Sequence, residues 1–211
     1  MEIIHSVDTI NIKKISDNEY SITSHPFFIS FFSLYNIQHK RENDLIIFNC
    51  QSINSLQKFI KNSTSDRLSY DDMTKFIYDM GFTIKTLEQQ QKAILCFGLD
   101  DIMVINGNIF FFINTGKILP IIKKQLTLKV PIDIKKSFLT PDINWKQLPI
   151  KSHFNNGIYS FALLLIYTST KTLYEKGIND EILNPIYQTK LYYFILRCLN
   201  NNPDERMFLY I

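Results

Sequence analysis

The sequence predicts an α+β fold. Three observations carry this expectation. Apolar residues alternate in short runs through residues 1–50, they recur at helical spacing after Cys50, and Asn106-Gly107 separates two apolar runs as a tight hairpin turn does. The 211 residues are 45% apolar and 20% charged, enough to bury a core.

Residues 1–50 read as short strands at Ile3-Ile4, Ile10–Ile12, Tyr20–Ile22, Leu34–Ile37 and Leu45–Phe48, with polar turns such as Arg41–Asp44 between them. Beyond Cys50, Ser52–Ser55 supplies an N-cap for a short helix carrying Leu56, Phe59 and Ile60. A long helix is expected from Leu68 to about Lys92, its apolar stripe running from Met73 to Leu87 behind Ser69, Asp71 and Asp72. A hairpin follows over Ile102–Ile113. Residues 117–156 hold four of the seven prolines and read as a long extended segment. Ile158–Thr170 is apolar nearly all round and predicts a buried helix. Pro185–Leu199 predicts an amphipathic one, stopped at Asn200–Pro203.

Several function classes are excluded by composition. The net charge of +3 is too mild to imply nucleic acid or an anionic membrane. No glycine precedes Gly81, so the first 80 residues hold no Gly-rich phosphate cradle. No apolar run approaches 18 residues, and the N-terminus lacks a basic, cleavable leader. Cys50, Cys96 and Cys198 lie far apart in apolar surroundings, as reduced, packed thiols do. The expectation is a cytoplasmic protein with no metal site, since the His and Cys residues show no ligand spacing.

Three stretches resemble protein kinases. Cys198-Leu199 followed by Asn202-Pro203-Asp204-Glu205-Arg206 is similar to the late Cys-Leu and Asn-Pro-x-x-Arg pattern. Ser137–Asp142, ending Thr140-Pro141-Asp142, resembles the Ala-Pro-Glu box. Gly157–Leu165 resembles the buried helix between them. The resemblance covers roughly residues 45–211 and implies a kinase-like α+β fold. Residues 1–50 would be a reduced β-rich N-lobe, packed on a mainly helical C-lobe over 51–211. It further implies a buried ion pair between Asp142 and Arg206.

The same resemblance places Ile94–Asp101 over the catalytic loop His-Arg-Asp-Leu-Lys-x-x-Asn. The catalytic aspartate then falls on Cys96, the lysine on Gly98 and the metal-binding asparagine on Asp101. Asn114-Thr115-Gly116 stands at the Asp-Phe-Gly motif, so a neutral Asn114 replaces the metal-binding carboxylate. A packed thiol is no general base at neutral pH, and an amide is a weak ligand for Mg²⁺. Gly157 stands where an aspartate holds the catalytic loop. His25–Ile29 resembles the loop after helix C, which leaves about two dozen residues upstream. That is too few for the phosphate-loop strands, a Lys-bearing strand (Lys13 or Lys14) and a full helix C.

The chain therefore resembles a pseudokinase, similar to kinase-like proteins of large DNA viruses, placed in host cytoplasm or virion. The implied function is a catalytically inactive binding or scaffolding module with a protein partner, rather than a nucleotide or nucleic acid, and with no cofactor. The alternatives are an atypical kinase or nucleotide-binding protein using Asp100, Asp101 and Asn114, and a structural component of a larger assembly. The lysine-rich stretch Lys117, Lys123, Lys124, Lys129, Lys135 and Lys136 reads as a solvated flap or a partner surface, and the aromatics Phe27, Phe28, Phe31, Phe32, Phe110, Phe111 and Phe112 read mostly as core, some of them open to a partner where the N-lobe is short.

Overall fold

Residues 2–50 build a five-stranded antiparallel sheet with one helix. The computed structural model describes residues 2–131, 137–141, 143–145 and 147–209. Strands β1 (Glu2–Val7), β2 (Ile10–Lys14) and β3 (Glu19–Thr23) precede helix α1 (Pro26–Leu34), and β4 (His39–Glu42) and β5 (Leu45–Asn49) follow it, in sheet order β1-β2-β3-β5-β4. Three strands fill the residues ahead of His25 and no helix lies among them; the nine-residue helix begins only at Pro26.

Helix α1 corrects two expectations. His25–Ile29 is the start of a helix rather than a loop that follows one. Pro26 stands at the first turn, where its missing N–H goes unused, and His25 Nδ1 accepts from Phe27 N at 3.3 Å as the N-cap. The expected strand at Leu34–Ile37 is this helix's end: Tyr35 N bonds Phe31 O at 3.2 Å, and Asn36 turns into the left-handed region at φ 52°. Phe27, Phe28, Phe31 and Phe32 recur at helical spacing, so all four face inward.

After Cys50 come β6 (Ile53–Ser55), α2 (Leu56–Lys61) and the twenty-residue α3 (Tyr70–Gln89). A reciprocal capping box between Ser69 and Asp72 opens α3. Strands β7 (Lys92–Ile94) and β8 (Phe97–Gly98) lead into the hairpin of β9 (Ile102–Ile105) and β10 (Ile109–Phe112), whose Gly107 takes φ 72°. The extended stretch contains β11 (Ile118–Pro120), β12 (Gln125–Leu128), β13 (Ser137–Phe138) and β14 (Ile150–His153), paired respectively with β7, with β14, with β8 and with β12. Helix α4 (Asn156–Thr170) is buried along most of its length. The last helix is shorter than expected. Pro185 sits in a 3-10 segment (Asp180–Ile186), Gln188 takes φ 61°, and α5 (Lys190–Cys198) starts only after its Thr189 cap.

The two regions share one core. Phe111 on β10 packs against Phe27, Phe28, Phe31 and Phe32 of α1, with ring centroids 6.4, 5.0, 4.5 and 5.2 Å away. Phe110 stacks on Phe76 of α3 at 4.7 Å, and Phe112 meets Phe97. All seven of these candidate partner aromatics are fully buried, so the uncovered patch does not exist. Asp79 on α3 fastens the same junction. Its carboxylate accepts from Tyr35 Oη, from Lys75 Nζ at 2.7 Å and from Phe110 N at 2.8 Å. Among the described residues, no helix is long and apolar enough to cross a membrane.

A candidate pocket closed by an internal ion pair

Three chain segments meet where the β8–β9 connection, the end of β10 and the β1–β2 turn converge. A 3-10 turn at Leu99–Asp101 projects Asp101 inward, and Ile113 N bonds Asp101 O at 2.8 Å, which brings Asn114 alongside. A second 3-10 turn (Thr115–Lys117) then aims Lys117 back at the same point. Lys117 Nζ lies 2.6 Å from Asp101 Oδ2 and 2.7 Å from Ser137 Oγ on β13. Asn114 Nδ2 donates to Asp101 Oδ1 at 2.8 Å. The Lys117 and Asp101 side chains are 4% and 3% exposed. A buried carboxylate needs such neutralisation and hydrogen bonding to remain ionised.

The β1–β2 hairpin covers this cluster. His5 Nε2 donates to Asp100 O at 2.8 Å, and Asp8, in the turn at φ 50°, lays its carboxylate over Gly116. A Cβ on Gly116 would stand 2.3 Å from Asp8 Oδ2, so the close approach requires glycine. Beneath the hairpin lies a pocket of about 360 Å³, lined by Asp8, Asp100, Asp101, Asn114, Lys117 and Ser137 among others. Asn114 Oδ1 is buried beside it with no hydrogen-bond donor. A larger, mainly apolar groove of about 820 Å³ runs between α3 and residues 206–209, lined also by Asn155 and Ile158, and contains none of these groups.

The structure brings Gly98, Asp101 and Asn114 together but leaves Cys96 outside the pocket lining. Cys96 is fully buried in a satellite apolar cluster with Leu95, Leu126, Leu128 and Ile150, and burial pushes its thiol up to about 11. None of the four histidines bonds it. His5 holds Asp100 O, His25 caps α1, His39 holds Ile37 O, and His153 faces Asp204. Lys14 sits beside exposed Asp17 at 3.7 Å, on the sheet rather than at the pocket.

Lys117 is the clearest correction: expected on a partner-binding surface, it is buried and paired. Lys123 and Lys129 are exposed, Lys124 pairs with Asp204 at 2.8 Å, and Lys135 and Lys136 lie outside the described residues. Asp142 also lies outside them, so the expected pairing with Arg206 concerns a position not described. Arg206 is buried as expected. Its guanidinium bonds Asn156 Oδ1 and Asn200 O (2.8 Å), and stacks over Tyr159 at 4.7 Å.

Gly157 serves packing, since a Cβ there would meet Ile94 O at 2.1 Å. Sequence reasoning missed Ser160. Its hydroxyl accepts from Phe97 N at 2.7 Å and donates to Phe138 O, pinning β8 and β13 to α4. The available signal was a serine inside an apolar helix, which needs a partner when buried. For Asp8 and His5 no such signal exists, because their contacts lie about a hundred residues away.

Among the described residues, no group of three His, Cys, Asp or Glu side chains is arranged to hold a metal ion. No protein-family model and no curated protein matches the chain.

Proposed function

We propose that this protein is a catalytically inactive, protein-kinase-like binding module whose pocket carries its own cation. The observation that carries the reading is Lys117, whose ammonium takes one oxygen of Asp101 while Asn114 takes the other. A phosphoryl-transfer site needs a free carboxylate for its metal and another for the attacking hydroxyl. Here the buried carboxylate that lines the pocket is already neutralised, and the position of the general base is an apolar, high-pKa thiol. A five-stranded sheet with one helix, ahead of a remainder that holds four of the five α-helices among the described residues, supports the resemblance in residues 45–211.

A second reading is favoured by the pocket itself: about 360 Å³ lies within the range of small-ligand sites, and three aspartates line it. Nucleotide binding with a rearranged metal would draw on Asp100, Asp101 and Asn114. Calorimetric and thermal-shift titration with ATP and GTP, with and without Mg²⁺ or Mn²⁺, separates the two. Saturating a real site at a hundredfold excess stabilises a fold by roughly 2.7 kcal/mol, so silence is interpretable. No response is expected, and a divalent-dependent response overturns the proposal.

A further inference from the structure

We infer that the apolar groove between α3 and residues 206–209 seats an amphipathic helix of a partner protein, with a basic side chain of that helix against Glu88. The inference goes beyond the pocket at Asp101 and holds whether or not that pocket takes a nucleotide.

Two elements build the groove. Ile77, Gly81, Ile84 and Glu88 line it from α3 at positions i, i+4, i+7 and i+11, a single stripe about 16 Å long at 1.5 Å per residue. Residues 206–209 approach this stripe at Gly81, where a Cβ would meet Phe208 Cε1 at 3.0 Å. That segment is fixed in place. Phe208 packs on Phe161 and Phe194, with ring centroids 5.3 and 5.1 Å away, and Arg197 Nη2 donates to Leu209 O at 2.6 Å. Its neighbours Met207 and Leu209 line the groove and are exposed, as is Tyr78 on the α3 side. Exposed apolar side chains gathered around a concave apolar surface are the mark of a protein contact.

Charge names the chemistry of the partner. Glu88 is half-buried and also lines an adjoining narrow slit with Ala93, Phe97 and Gly157. Its carboxylate has no ion-pair or hydrogen-bond partner among the described residues, and burial raises its pKa with no cation opposing the shift. The other charged groups of the groove are accounted for. Asp204 pairs with Lys124 at 2.8 Å, Arg206 bonds Asn156 Oδ1 and Asn200 O, and Lys85 is exposed to water. A half-desolvated carboxylate without a partner is costly, and a lysine or arginine brought against it supplies the complementary charge. An acyl chain with an anionic head, the other natural occupant of an open apolar groove, would set like charge against Glu88. A partner helix running along the stripe meets it with residues at the same spacing, three apolar and one basic, over about three turns.

The test pans a phage-displayed library of random peptides about 16 residues long against the full chain, with counter-selection on Leu209→Asp. Recovered sequences are expected to carry apolar residues at helical spacing with lysine or arginine at one end. A synthetic peptide of the leading sequence, titrated by fluorescence anisotropy, should bind Glu88→Gln about tenfold more weakly than wild type. The urea midpoint of Glu88→Gln should equal or exceed that of wild type, because the charge removed has no partner in the fold. Sodium laurate is titrated in parallel, and the chain alone is followed by sedimentation velocity. No enrichment, sequences without a basic residue, or binding that ignores Glu88→Gln overturns the inference. A lower urea midpoint for Glu88→Gln overturns its premise that the carboxylate is unpaired. Saturable laurate binding that displaces the peptide assigns the groove to an acyl chain, and self-association abolished by Leu209→Asp assigns it to a second copy; either overturns the partner helix.

Discussion

Replacing Lys117 with methionine tests whether the internal cation is as buried as its geometry indicates. The substitution keeps the length of the side chain and removes its charge. Asp101 would keep the Asn114 bond to Oδ1, while Oδ2, now 2.6 Å from an ammonium, would lose that partner. Stranding one partner of a buried pair costs about 3–5 kcal/mol. With a urea m-value of about 3 kcal/mol/M, the midpoint should fall by roughly 1–1.7 M at unchanged m. The double variant Asp101→Asn/Lys117→Met carries no charge and keeps an oxygen for Asn114 Nδ2. It should return to within about 1.5 kcal/mol of wild type, giving a favourable coupling of roughly 2 kcal/mol or more in the cycle. Urea unfolding followed by circular dichroism reads all four proteins. A single variant within about 1 kcal/mol of wild type, or a double variant no better than the single, would mean a hydrated pair. The case for a pocket closed to metal would then fail.

Four further substitutions have expected outcomes. Phe111→Ala should cost about 3–5 kcal/mol in the same unfolding assay, because four phenylalanines of α1 lose their shared neighbour, and a loss below about 1 kcal/mol would show that the junction collapses around the cavity. Gly157→Ala should destabilise by about 1–3 kcal/mol despite alanine's better helix propensity, since the new methyl meets the Ile94 carbonyl. Gly81→Ala, whose methyl meets only the Phe208 ring at 3.0 Å, should be near neutral, and equal effects at the two sites would refute the contact geometry. Burial, then Lys92, hold the His25 imidazole below its ordinary value, so the unfolded chain binds that proton more readily. The stability His25 contributes is present above about pH 6.5 and is lost as pH falls through that value and the lowered folded one. Protonation of Nδ1 also removes the α1 cap. His25→Asn keeps a capping oxygen and should flatten the urea midpoints measured between about pH 7.5 and about pH 5.5, leaving a residual slope from His153, which burial lowers likewise. An identical slope in wild type and variant would remove His25 as the cause.

What was legible in the sequence is what local periodicity encodes. The long helix, expected from 68 to about 92, spans Tyr70–Gln89; the Asn106-Gly107 hairpin and the apolar helix ending at Thr170 stand where their patterns put them. Helix α1 was misread because Phe27-Phe28-Ile29-Ser30-Phe31-Phe32 combines strand-forming residue types with helical spacing. Pro26 behind a capping His25 was the overlooked arbiter. Cys96 was legible as a packed thiol from its apolar neighbours. Lys117 was not, because a buried lysine and a solvated one look alike within a run of lysines, and its partners lie 16 and 20 residues away in opposite directions. Asp8 was least accessible, since only the tertiary path of a hairpin carries it to Gly116.

The junction around Phe111 also decides how the molecule can move. Where two lobes rotate as a clamshell, a few linker residues absorb the change in backbone angles. Residues 50–52 are the place for such a hinge here, yet Asn106 Oδ1 accepts from Gln51 N at 2.8 Å and Ser52 N at 3.3 Å, and Cys50 N is held by Asn18 O. Rotation would also drag α1 off Phe111 and part Tyr35 from Asp79. Among the described residues the protein is therefore one mechanical body, and the two-residue tip of the first hairpin, exposed at Asp8 and Thr9, is the part of its pocket wall least tied to that body.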